Sequence, residues 1–142
     1  MSTANKTTVT VSVNINASID VVWEKWTNPE DITKWYFASD DWHAPNAKND
    51  LRTGGQFSTT MAAKDSSFSF DFVGTYDLVE EHTKIDFTIG DGRKVNVTFT
   101  NEGTTTTVTE TFETEEMNSI EMQQAGWKAI LNNFKKYVET NS

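Results

Sequence analysis

The sequence predicts an α+β domain: one curved antiparallel sheet, covered on one face by a long C-terminal helix, with two short helices after the first strand. Three observations predict it. Apolar residues alternate with period two at 9–15 and again from 57 to 112. They recur with helical period from 120 to 138, and two shorter helical stripes occupy 19–36. A one-sided sheet and an amphipathic helix each need cover for an apolar face, and here each supplies it to the other.

Taken in order, Val9, Val11, Val13 and Ile15 alternate strictly and give the first strand. Ser18 is placed to cap a short helix on which Ile19, Val22, Trp23 and Trp26 share a face. Asn28, Pro29, Glu30 and Asp31 start a second helix with a capping side chain, proline at the first helical position and acids in the first turn. Its stripe is Ile32, Trp35 and Tyr36. Residues 37–55 have no clear period, which points to a lid, a mobile mouth or a broken edge strand, and Pro45 bars a central strand there.

The period-two block then runs through Phe57, Thr59 and Met61, then Phe68, Phe70, Phe72, Gly74, Tyr76 and Leu78. Ile85, Phe87 and Ile89 follow, then Val95, Val97 and Phe99, and lastly Val108, Glu110 and Phe112. The intervening positions are short and polar, as on the solvent face of an antiparallel sheet. Turn residues at 64–67, 90–92 and 101–103 separate the strands. Asn118, with Glu121 three residues on, is placed to cap the last helix, whose face reads Ile120, Gln123, Trp127, Ile130, Leu131, Phe134 and Val138. The order is β-α-α-β(about six)-α in one domain spanning 1–142, with no repeat or linker.

Composition excludes several functions. The chain has 142 residues, no cysteine and a formal charge of −9. Thiolate metal sites, disulfides and cysteine nucleophiles are therefore absent, and the acidic surface disfavours nucleic acid and anionic lipid as partners. No apolar run is long enough to span a bilayer, and the polar N-terminus has no secretory h-region, so a cytoplasmic protein is expected. No metal-ligand spacing is present, and no metal or cofactor is expected.

Several runs carry a resemblance: "VWEKWTNPEDITKWY" at 22–36, "DLRTGGQF" at 50–57, "FDFVGTY" at 70–76 and "GWKAILNNF" at 126–134. Their order and spacing resemble the family of homologues of the heat-shock protein 90 ATPase activator, within the helix-grip, START-like (SRPBCC) superfamily. The resemblance implies a helix-grip fold with an internal cavity. It also implies a role in binding lipid-like, aromatic or polyketide-like molecules, with some members of the superfamily acting as cyclases, aromatases or hydrolases. The family's eukaryotic activator carries an additional chaperone-binding domain for which this chain has no room, so a chaperone partner is the lesser expectation. A monomer or weak homodimer is expected.

On this frame the early tryptophans read as core fasteners. The ligand-binding candidates are Trp42 and His43 from the aperiodic segment, Phe57, Thr59, Met61, Phe70, Phe72, Phe87, Phe99 and Glu110 from the sheet, and Gln123, Trp127, Ile130 and Leu131 from the last helix. Asp50 and Arg52 read as a local ion pair, with Arg52 also available as an anion clamp. Gly74 and Gly126 lack side chains on facing surfaces, which leaves room for a ligand or lets backbones approach. Glu110 stands between Val108 and Phe112. Either a bulge or the wet end of the strand turns it out, or it lines a polar spot in the cavity with its pKa raised by desolvation. His43 and Glu110 are the available acid–base candidates. With no second inward carboxylate, binding is the leading expectation and catalysis or chaperone modulation the alternatives.

Overall fold

A computed structural model describes residues 7–141. Seven strands and three helices follow in the order β1 (Thr8–Ile15), α1 (Ile19–Thr27), α2 (Pro29–Trp35), β2 (Trp42–Asn49), β3 (Gln56–Ala63), β4 (Ser69–Glu80), β5 (Lys84–Ile89), β6 (Lys94–Asn101), β7 (Thr106–Glu113) and α3 (Ile120–Asn141). The strands form one curled antiparallel sheet in the order β1-β7-β6-β5-β4-β3-β2. Strands β2 to β7 are a meander, and β1 closes the far side by pairing with β7. The expected helix-grip architecture is what the chain adopts.

The three helices cover the concave face. α2 packs along β2 and α3 along β1, so the helical layer bridges the two sheet edges. Lysines help to close the β1 edge: Lys128 donates to the Ser12 carbonyl and Lys135 to that of Asn14. These bonds occupy edge acceptors that would otherwise be open to another strand. Trp23, Trp26 and Trp35 are fasteners, as their stripes imply. Trp35 lies 4.6 Å from Phe134 and 4.9 Å from Trp26, and its indole donates to the Lys25 carbonyl at 3.0 Å. Trp23 and Trp26 lie 5.1 and 5.7 Å from Phe99. Each such ring, when buried, contributes on the order of 2–3 kcal/mol.

Five local expectations need correction or narrowing. The middle of the aperiodic segment, Trp42–Asn49, is the edge strand β2, whose alternation is broken by a register shift between His43 and Asn46, around Pro45. Proline is tolerated there because an edge strand has a side without a ladder. Leu78 is not inward: a bulge between Tyr76 and Leu78 pairs Leu78 with Asp86 and turns Val79 to the core opposite Ile85. Ser18 occupies the N-cap of α1 without a side-chain bond. α3 is capped by Ser119 rather than Asn118, since the Met122 amide donates to Ser119 Oγ at 3.1 Å and the Asn118 amide donates to Glu115. Ile120 is consequently at the exposed first turn and outside the core face.

The two glycines separate physically. A Cβ on Gly74 would stand 2.6 Å from Phe57 Cζ and 2.9 Å from the Thr88 carbonyl oxygen, so this position serves close approach and leaves no room. A Cβ on Gly126 would meet nothing within 4 Å. Gly74→Ala should therefore destabilise by about 1–3 kcal/mol through overpacking. Gly126→Ala should stabilise by roughly 0.5–1 kcal/mol through helix propensity. Urea unfolding of both variants checks the pair, and equal effects at the two positions would contradict the packing described.

Candidate functional site

The curl of the sheet brings the inner face of β7 opposite β3 and β4, with α3 crossing between them. A pocket of about 320 Å³ lies there. Trp35 and Tyr36, at the end of α2, form one wall, and Met61, Phe70 and Phe72 of β3 and β4 form another. Gln123, Trp127 and Ile130 of α3 cover it, and Glu110, Arg93 and Glu115 supply ionisable groups. A second, small pocket of about 40 Å³ lies deeper, lined by Phe57, Thr59, Tyr76, Phe87 and Lys48 among others. Trp35, Tyr36 and Glu110 line both.

Position in β7 explains Glu110. The strand's burial alternates without interruption, so Glu110 shares the inner face with Val108 and Phe112. Its cross-strand neighbours are Val11 on β1 and Val97 on β6, both buried. No bulge turns the residue outward, and it is 5% exposed. Among the described residues, no group donates a hydrogen bond to its carboxyl. Every fully buried side-chain oxygen and nitrogen among them has a partner, so the Glu110 carboxyl must reach the pocket space. Loss of solvent pushes its pKa up to about 8, so near neutrality the acid is mostly protonated and able to donate. Burial, followed by the nearby Glu110 charge and then Tyr76, holds the Tyr36 hydroxyl well above the usual phenol range.

The other pocket groups have partners. Arg93 Nε donates to Asp91 at 2.8 Å and its Nη1 to the Glu113 carbonyl at 3.4 Å. Glu115 accepts from the Asn118 backbone amide at 2.8 Å, the Asn118 side-chain amide at 2.7 Å and the Met117 amide at 2.8 Å, and those bonds, Asn118's foremost, hold its pKa low. The Gln123 amide is committed to the segment before α3: Oε1 accepts from Glu115 N at 2.9 Å, and Nε2 donates to the Glu115 and Asn118 carbonyls. Gln123 lines the pocket as the anchor of that segment. Trp127 is fixed by stacking on Phe112, with centroids 4.1 Å apart and planes 9° from parallel, and it meets Phe72 edge-on at 6.4 Å.

Of the residues singled out from sequence, Met61, Phe70, Phe72, Glu110, Gln123, Trp127 and Ile130 meet at the larger pocket. Phe57, Thr59 and Phe87 fall in the small one. Phe99 packs on Trp23 and Trp26, and Leu131 is fully buried core. Trp42 lies outside, its ring 6.2 Å from Phe68 and 6.1 Å from Phe70, and His43 is exposed on the edge strand. Arg52 is engaged by Asp50 at 3.0 Å and lies away from either pocket. Trp35, Tyr36, Arg93 and Glu115 were missed. Tyr36 carried one usable signal, a hydroxyl on an apolar stripe that requires a partner when buried.

Comparison with known proteins places this geometry. The family model for Activator of Hsp90 ATPase homolog 1-like protein matches residues 16–139. The chain belongs to this family. An AHSA1-like protein from Aeromonas hydrophila, known by solution NMR, is 45% identical over 93% of each chain, with a TM-score of 0.85. A protein from Cytophaga hutchinsonii is 55% identical over 96% of this chain and 94% of its own, with a TM-score of 0.81. The crystal structure of NE0264 from Nitrosomonas europaea shares the fold alone, at 16% identity over 94% of each chain and a TM-score of 0.79. None of the curated proteins matches the chain. The AHSA1-like fold lies in the START-like class, which commonly binds hydrophobic ligands. Among the described residues no helix is long and apolar enough to cross a membrane, and no His, Cys, Asp or Glu cluster could hold a metal ion.

Glu110 makes stability depend on pH with a definite sign. Unfolded, its pKa is near 4.3; folded, it is about 8. Between these values the folded state keeps a proton that the unfolded state has lost, so Glu110 lowers stability as pH rises through the window. The limiting slope is about 1.4 kcal/mol per pH unit. Urea unfolding of wild type and Glu110→Gln from about pH 5 to 8 should show the wild type losing stability relative to the variant. Parallel curves would contradict the placement of the carboxyl.

Proposed function

We propose that this protein binds a small, largely hydrophobic molecule in the pocket between α3 and the sheet. The observation that carries the reading is the pocket itself: about 320 Å³, walled by Trp35, Tyr36, Phe70, Phe72, Trp127, Met61 and Ile130, with an unpartnered carboxyl inside. That volume is at the lower end of pockets that take drug-sized molecules, and an apolar wall with few polar groups is their usual composition. The START-like fold class gives independent support. The walls belong to both α3 and the sheet, so a ligand there bridges the two halves of the fold.

A binder is favoured over an enzyme because Glu110 has no partner poised to activate it. His43, the other acid–base candidate, is exposed on the far edge strand. General acid–base catalysis needs such a group within hydrogen-bond reach of the substrate. Phe70, which is exposed and lines the pocket, and the exposed Phe68 ring 5.8 Å from it give a hydrophobic molecule a surface to meet before entry.

The uncharged fluorescent probe N-phenyl-1-naphthylamine tests the reading. It should bind saturably, quench the emission that Trp127→Phe removes, and protect the fold against thermal unfolding. Ile130→Trp, which directs a larger ring into the pocket, should weaken the probe at least tenfold, or about 1.4 kcal/mol. Unsaturable binding, or saturable binding indifferent to the residue 130 substitution, would count against the pocket as the site.

A further inference from the structure

We propose that the pocket selects molecules that carry a protonated amine on an aromatic or other apolar body, with Glu110 as the counter-ion. This rests on the pocket being a ligand site. Glu110 is a carboxyl, only 5% exposed, and among the described residues it has neither hydrogen-bond donor nor counter-charge. A carboxylate in such surroundings is strongly disfavoured until a cation pairs with it. Of the two cations that line the pockets, Arg93 is already held by Asp91 and the Glu113 carbonyl, and neither it nor Lys48 offsets the burial that alone raises the pKa of Glu110. The site therefore contains one half of an ion pair.

The surroundings suit the missing half. The rings of Trp35, Tyr36, Phe72 and Trp127 line the same pocket as the carboxyl. Aromatic faces attract a desolvated ammonium, tryptophan most strongly. The Tyr36 hydroxyl lies near enough to Glu110 to feel its charge, and it can accept from a second N–H of the ligand. At long range the formal charge of −9 draws cations and repels anions. A neutral ligand could accept a hydrogen bond from protonated Glu110, but it would gain neither the ion pairing nor the attraction of a cation to the ring faces. On binding an ammonium, Glu110 releases its proton to solvent and the carboxylate pairs with the ligand.

That proton release fixes the pH dependence. The other ionisable groups lining the two pockets are Tyr36, Arg93 and Glu115 in the larger, and Lys48 and Tyr76 with Tyr36 in the smaller. Glu115 is held ionised by its hydrogen bonds, and burial holds both tyrosines well above neutrality, so Glu110 is the group that changes between pH 6 and 8. Amine affinity should rise about tenfold for each pH unit up to about 8 and then level off. A neutral acceptor held by the protonated acid would show the opposite trend.

Isothermal titration calorimetry with naphthylethylamine and its uncharged isostere naphthylethanol tests the proposal, at about pH 6, 7 and 8 and in low and high salt. Wild type should bind the amine at least about tenfold more tightly than the alcohol at pH 8, with the pH trend above. The preference should persist in high salt, which screens the surface charge but not a buried pair. Glu110→Gln should abolish both preference and trend, and saturable binding of naphthylethanol to the variant would show that the pocket is intact. An alcohol that matches the amine, a flat or falling pH profile for the amine, or an amine affinity indifferent to Glu110→Gln would overturn the amine selectivity while leaving the pocket reading standing. Failure of both probes to bind saturably would overturn the pocket reading and this inference with it.

Discussion

The stack of Trp127 on Phe112 sets the spacing between α3 and the sheet, and the pocket follows from it. Phe112 is fully buried on β7, and Trp127 lies nearly parallel to it at 4.1 Å. Ring stacking of this kind adds about 0.5–1.5 kcal/mol beyond the area buried, and it fixes both distance and orientation. Trp127 then presents its edge region to Phe72 at 6.4 Å, across the space that becomes the pocket. Glu110, two residues before Phe112 on the same face, is carried into that space by the strand's period. Position in β7 and the stack one step along it together decide where the acid ends up.

Two groups of aromatic residues have opposite roles here. Trp23, Trp26, Trp35, Phe99 and Phe134 form a continuous set of ring contacts that joins α1, α2, β6 and α3. It is reinforced by Asn133, whose amide donates to the Trp35 carbonyl at 2.9 Å. The second group, Phe70, Phe72, Tyr36 and Trp127, borders open space. Trp35 belongs to both, being 1% exposed yet part of the pocket wall. One end of the concave face is thus closed by interlocked rings, and the other keeps room beside a carboxyl. A rigid closed end lets the open end hold its shape without side chains filling it.

How much of this is legible in sequence depends on the kind of information involved. The alternation of Val9, Val11, Val13 and Ile15 is unambiguous because the strand is buried on one face only. Glu110 is legible as inward for the same reason, but the sequence cannot decide between that phase and a bulge. The bulge between Tyr76 and Leu78 shows why, since the extra residue leaves no mark in composition. Asn118 and Ser119 are both good capping residues, so the start of α3 shifts by one position on hydrogen-bond geometry alone. Gly74 and Gly126 look alike as letters and differ by what stands opposite them. Tyr36, Arg93 and Glu115 enter the site through the curl of the sheet, which joins elements far apart in the chain and has no periodic signature.

The molecule therefore keeps a group that its own interior disfavours. A buried carboxyl with no donor or cation lowers stability near neutrality, and substitution with an uncharged residue of the same shape would remove that penalty. The penalty is tied to the open space beside it, where an incoming molecule can satisfy the group. Carbon-detected NMR titration of the Glu110 side-chain carboxyl in the ligand-free protein tests this most directly. The account predicts a midpoint of about 8, set by burial. A midpoint near the ordinary glutamate value of about 4.3 would contradict it, because such a carboxyl would be solvated or paired rather than waiting in an apolar pocket.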